Sequence, residues 1–267
     1  MASGKIRLGI GGWTFEPWRG VFYPQGLRQA DELAYAASKL TAIEINGTYY
    51  STFKPDSWAK WRAATPDGFK FAVKASRFCT NRKILGEMGE SMSRFLGQGL
   101  SELGDRLGPI LWQFANTKRF DPADFEGFLK LLPGKQDGLP LAHVLEVRHP
   151  SFIDPAFVAL ARKYGVAICL ADHSSYPMIP DVTGDLVYAR LQTGSDDHPT
   201  AYASTELDLW VDRLRTYAAG SAPADLALAD PGTPAPVKPR DVYAFVIHEG
   251  KVRAPAAAMA MIERVGA

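Results

Sequence analysis

The segment LAHVLEVRHPSFIDPAFVALARKYGVAICLAD (141–172) contains a complete structural unit. Two short apolar runs, 141–148 and 166–172, are rich in branched side chains and read as strands. Between them Asp154-Pro155 opens a helical pattern over 155–164, with aspartate as the cap and proline at the first helical position. Strand, helix, strand is the grammar of parallel pairing, because only a crossover connection can bring the second strand back in the same direction.

The same grammar extends in both directions. Further strand patterns occupy 5–12, 41–46, 69–75, 108–114, 186–192 and 241–247. Helical patterns fall at about 29–39, 56–64, 88–103, 122–132, 205–219 and 255–265. Eight strands in alternation with helices is the number that closes an α/β barrel of the (β/α)8 TIM type at this chain length. A doubly wound open sheet is the alternative, but GIGGWTF (9–15) lacks the G-x-G-x-x-G spacing that such a sheet uses for phosphate. The stretch HSSYPMIPDVTGD (173–185) shows no helix, so the expected barrel is irregular, with a helix missing between strands six and seven and a loop over the mouth. Residues 220–240, rich in Pro, Ala and Gly, read as an exposed connection inside a single domain spanning 1–267. No internal repeat is visible.

Composition narrows the function classes. Thirty Lys plus Arg against twenty-nine Asp plus Glu give a net charge of +1, which argues against a large phosphate-backbone footprint or a membrane surface. The two cysteines, Cys79 and Cys169, stand in apolar contexts and are expected to be reduced thiols. The N-terminus reaches a strand at once and no apolar run is long enough to span a bilayer, so the expected setting is the cytoplasm.

In a barrel, alternate strand residues face inward and catalytic groups gather at the C-terminal strand ends. On that rule one end of the barrel collects Glu44, Asn46, Lys74, Gln113, Glu146, Arg148, Asp172, His173, Tyr188, Arg190 and Gln192, followed by His248 and Glu249. The end of HVLEVRHPSF (143–152) would then be one wall of a polar cup. A closed ion network filling the upper barrel is the bland account of the same residues, since buried charges persist when paired. His143, at a strand start, reads as structural, and His198 as a solvated loop residue. The aromatics of WTFEPWRGVFYP (13–24) read as packing over the barrel, whereas Tyr49 and Tyr50 are better placed to touch a ligand.

These residues resemble the YecE-like family, domain of unknown function 72. The resemblance rests on GGWTFEPWRGVFYP, AIEINGTYYSTFKPDSWAKWRAATPDGFKFAVKASRFCT, LGPILWQF, LEVRHPSF, LADHSS and VYARLQ, in order from residue 11 to about 245. It implies a (β/α)8-type barrel, in agreement with the strand count, and little chemistry. Glu44, Asn46, Lys74, Gln113, Glu146, Arg148, His149, Asp172 and Arg190 match the family pattern. Asn81, Gln192-Thr193 and Ile247-His248 depart from it, two of them where the family carries histidine.

Three chemistries remain open at this level. The leading one is an enzyme, a hydrolase or lyase, acting on a small anionic substrate such as a phosphorylated or carboxylated sugar. Arg148 and Arg190 would clamp the anion, with Asn46, Tyr49, Gln113, His149, Gln192 and His248 lining the site. Glu44, Lys74, Glu146 and Asp172 would be the catalytic groups, the paired carboxylates dividing acid and base roles. An imine-forming role for Lys74 is opposed by adjacent carboxylates that would keep it protonated. The second is a non-catalytic binding protein, which the replaced histidines favour. The third, a nucleic-acid phosphodiesterase, is disfavoured because no dense metal-ligand cluster is present. No cofactor is expected, a divalent metal stays open, and the sequence is silent on oligomeric state.

Overall fold

A computed structural model describes residues 3–247 and 249–266. Eight parallel strands close a barrel: β1 (Ile6–Gly11), β2 (Ala42–Ile45), β3 (Lys70–Lys74), β4 (Leu107–Gln113), β5 (His143–Glu146), β6 (Ala167–Asp172), β7 (Leu186–Leu191) and β8 (Asp241–Val246). Neighbours in sequence are neighbours in space, and β1 completes the ring by pairing with both β2 and β8. The helices are α1 (Glu32–Lys39), α2 (Pro55–Ala63), α3 (Arg77–Thr80), α4 (Gly89–Leu96), α5 (Pro122–Leu129), α6 (Pro155–Lys163), α7 (Ser204–Ala219) and α8 (Ala254–Gly266). The two Asp-Pro starts are true caps: the Asp121 carboxylate accepts from the amides of Ala123 and Asp124, and that of Asp154 from Ala156.

Two cores result from the strand alternation. Outward residues such as Ile43, Val73, Trp112 and Leu170 pack against the helices. Inward residues Ala42, Ala72, Leu111, Val144, Cys169, Tyr188 and Phe245 fill the middle of the barrel. Two positions further along their strands, the inward side chains become Glu44, Lys74, Gln113, Glu146 and Arg190. The apolar plug therefore sets the depth of the polar cup above it.

The structure departs from the sequence-based expectation in five places. The helix expected over 88–103 stops at Leu96, and 3-10 turns follow over Leu100–Arg106, broken by a kink at Gly104. The cause is Gly99, whose φ of 104° is left-handed and whose missing Cβ leaves room for Pro55. The short helix α3 and a two-residue ribbon, Lys135–Gln136 against Leu139–Pro140, were not anticipated. Between β6 and β7 the helix is indeed absent, but the segment does not cover the mouth throughout. Ile179 is buried beside Ile168 and Val187, and the Thr183 hydroxyl, donating to Val166 O (2.7 Å) and accepting from Ile168 N (3.1 Å), ties the chain to the start of β6. This coil descends the outer wall where a helix would lie. Nor is 220–240 simply exposed. Asp181 accepts the amides of Ala229 (2.7 Å) and Asp230 (3.0 Å), Arg162 pairs with Asp230 at 2.6 Å, and buried Arg240 donates to four backbone carbonyls. Two helix-free connections thus brace one another.

Candidate functional site

At the C-terminal end of the strands lies a cavity of about 470 Å3, lined by Gly11, Trp18, Asn46, Tyr50, Lys74, Gln113, Arg148, Arg190, Gln192, Val246, Ile247 and Lys251. Its floor is an ion network built across the barrel. Arg190, on β7, forks onto Glu44 of β2 through Nε (3.1 Å) and Nη2 (3.0 Å), and reaches Glu146 of β5 through Nη1 (2.6 Å). Glu44 also accepts from the Tyr188 hydroxyl at 2.6 Å and from Asn46 Nδ2 at 2.9 Å. Gln113 donates to Glu146 at 2.8 Å and Arg148 does so through Nε at 2.9 Å, its Nη2 lying in ion-pair contact with the same carboxylate at 2.8 Å.

Glu44 therefore accepts four hydrogen bonds, and Glu146 accepts three beside a further ion-pair contact with Arg148. Burial by itself would raise the Glu146 pKa, but Arg190, Arg148 and Gln113 hold it down to about 2. These two glutamates anchor the cup.

The donors are not saturated. Among the described residues no carboxylate pairs with Lys74 and no acceptor bonds it; its ammonium sits 4.2 Å above the centre of the Tyr49 ring. Burial, with Arg190 close by, lowers its pKa to about 8, outweighing Glu44 and Glu146. Gln192 is 1% exposed and its Nε2 has no hydrogen-bond partner. Lys251, packed 4.0 Å over the Phe15 ring, lines the same cavity, and burial lowers its pKa too.

The remaining sequence-named residues fall at different distances from this cup. Arg148 lies on the wall, its guanidinium 4.4 Å above Tyr176, which in turn stacks on His173 at 3.8 Å. Asp172 is half-buried beside the cavity and accepts from the Thr193 hydroxyl at 2.6 Å; burial raises its pKa. The structure does not bring His149 into the cup: its Nδ1 accepts from Ser151 N and meets Ser151 Oγ, capping the turn at Pro150–Phe152. His248 lies outside the described residues. His143 is structural, its Nδ1 accepting from Trp112 and its Nε2 facing Pro133 O. Sequence reasoning missed Gly11, Trp18 as a wall, Tyr176 and Lys251; the last follows the eighth strand, and position in that loop was the available signal. Among the described residues no cluster of His, Cys, Asp and Glu could hold a metal ion, and no helix is long and apolar enough to cross a membrane.

Comparison with known proteins adds three findings. The model of a family described as protein of unknown function DUF72 matches residues 7–267. The protein YecE of Escherichia coli K12, designated UPF0759, is 28% identical over 150 residues, which are 55% of this chain and 50% of that protein. The chain thus spans about half the length of the curated relatives it matches. A DUF72 family protein of Thermotoga maritima superposes with a TM-score of 0.73 at 20% identity, covering 98% of this chain and 100% of the other. One of Enterococcus faecalis does so at 0.69 and 16%, with full coverage of both. At these identities the superpositions speak for the fold.

Proposed function

This chain belongs to the DUF72 family, and we propose that it is an enzyme acting on a small anionic substrate, a carboxylate or phosphate, bound at the barrel mouth. One observation carries this reading: the two carboxylates of the cup are taken up by its own donors, while cationic and amide N–H groups at its wall are not. Glu44 and Glu146 are held by arginines, while the Lys74 ammonium and the Gln192 Nε2 have no hydrogen-bond acceptor among the described residues, at the wall of one cavity of about 470 Å3. Such a site favours a ligand rich in acceptors, because its carboxylates are already committed and the charged groups left at its wall are cations. Arg148 has N–H groups beyond those given to Glu146 and is oriented by its stack on Tyr176, so it is the group we assign to the anion. The acid-base work then falls to the lysine rather than to the paired carboxylates.

A non-catalytic binding protein would have the same cup, and the difference lies in turnover. The test is calorimetric titration of the wild type and Arg148→Ala with lactate, glycerol phosphate and inorganic phosphate. Loss of one charge-assisted contact predicts affinity about tenfold or more lower in the variant. Equal affinity in both proteins, or no binding by either, would remove the anion site from this mouth.

A further inference from the structure

Of the two amines that line the cavity, Lys74 and Lys251, it is Lys74 that stands at the floor beside the ion network, with no acceptor bonded to it among the described residues. The sequence set Glu44 and Glu146 beside Lys74, an arrangement that would fix a proton on the amine. The fold cancels that effect by spending both carboxylates on arginines: Glu44 on Arg190, Glu146 on Arg190 and Arg148. The charges that face Lys74 are therefore balanced pairs, and its amine packs on the face of Tyr49 with no oxygen bonded to it. Its floor neighbour Gln113 is itself committed to Glu146. A nucleophilic amine requires these three conditions together: a depressed basicity, an unengaged lone pair after proton loss, and room for the reacting partner.

We infer that Lys74 condenses with the carbonyl group of a small anionic aldehyde or ketone, such as a 2-oxo acid or a keto phosphate, to form an imine. This deepens the anionic-substrate reading and rests on it. In the step, the Lys74 nitrogen lone pair forms a bond to the carbonyl carbon as the C=O π bond breaks. The oxygen takes up a proton and the nitrogen loses one, giving a carbinolamine. Departure of that oxygen as water and loss of the second nitrogen proton complete the C=N bond, with no change of oxidation state. Arg148 holds the anionic end, and the polar wall of Gln113, Gln192 and Arg190 surrounds the oxygen that leaves.

The experiment incubates the full chain with pyruvate or dihydroxyacetone phosphate and sodium cyanoborohydride, followed by peptide mass mapping. The expected result is a reduced adduct on the peptide carrying Lys74, absent from Lys74→Arg and from Lys74→Met. Its rate below pH 8 should rise about tenfold per pH unit, as the neutral amine does. The two probes separate a carboxylate from a phosphate preference. Parallel titration with lactate and glycerol phosphate, which have no carbonyl, separates the two proposals. Binding of these analogues without any Lys74 adduct overturns the imine and leaves the anion site standing. Absence of both overturns both. Adducts distributed over surface lysines, equal in wild type and Lys74→Arg, also overturn the imine.

Discussion

Both ends of this barrel place charges inside the strand ring, and they treat them differently. At the lower end Arg7 donates to Asp241 at 2.8 Å and lies 5.2 Å over the Tyr243 ring. Lys70 donates to the carbonyl of Asp105 at 2.6 Å, and the Lys5 amide meets the other oxygen of Asp241. Every donor named there has an acceptor. At the mouth, two buried glutamates are shared among arginines, a tyrosine and amides, and a lysine and a glutamine amide are left over. A balanced set of charges closes a barrel, whereas a surplus of one kind of hydrogen-bonding group asks for a ligand of the opposite kind. The difference lies in the ledger of donors and acceptors, since both ends are polar.

The sharpest way to break this contrast is to unbalance the mouth. Arg190→Met leaves two buried carboxylates without their shared cation, and should cost about 3–5 kcal/mol in denaturant unfolding. A loss near that of a surface pair would mean that the network does not hold the mouth together.

The second test uses acid. The Glu146 pKa lies near 2 in the folded chain against 4.5 for the free side chain, so its contribution is present above pH 4.5 and is lost as pH falls towards 2. The wild type should lose on the order of 3 kcal/mol across that window beyond what Glu146→Gln loses. Parallel slopes in the two proteins would contradict the assignment.

Lys74 tests the surplus itself. Its folded pKa of about 8 lies below the 10.5 of the free amine, so its charge opposes folding fully below pH 8, and that penalty vanishes as pH rises towards 10.5. Lys74→Met should therefore be more stable than the wild type at pH 7 by on the order of 1–3 kcal/mol, with the gap closing as pH increases. A destabilised variant would show that the lysine has a partner in the fold.

The smallest effect is expected below. The Asp241 side chain is 42% exposed, so Arg7→Met should cost no more than about 1 kcal/mol and leave ligand binding at the mouth unchanged. A larger loss would erase the distinction between the two ends.

Much of this molecule is legible from one dimension. The eight strands follow from short apolar runs between turn residues, and the two-residue alternation places Glu44, Lys74, Gln113, Glu146 and Arg190 on the inner face. The Asp-Pro signals at 121–122 and 154–155 mark helix starts because capping is a local interaction. The Asp137-Gly138 pair at the turn of the small ribbon is an equally local signal, both residues having positive φ. His149 was misleading for the same reason: proximity in sequence to Arg148 suggested a shared site, while its ring satisfies the turn that follows.

Strand number, barrel closure and the inward set were determined by the sequence, because periodicity and turn chemistry act over a few residues. Whether those inward charges cancel was decided only by the tertiary structure. Arg190 meets Glu44 across 146 positions and Glu146 across 44, and nothing local says that one guanidinium serves both. The release of Lys74 from its neighbouring carboxylates follows from that sharing. It is a property of the closed ring, in which residues from opposite strands meet at one depth and compete for the same acceptors.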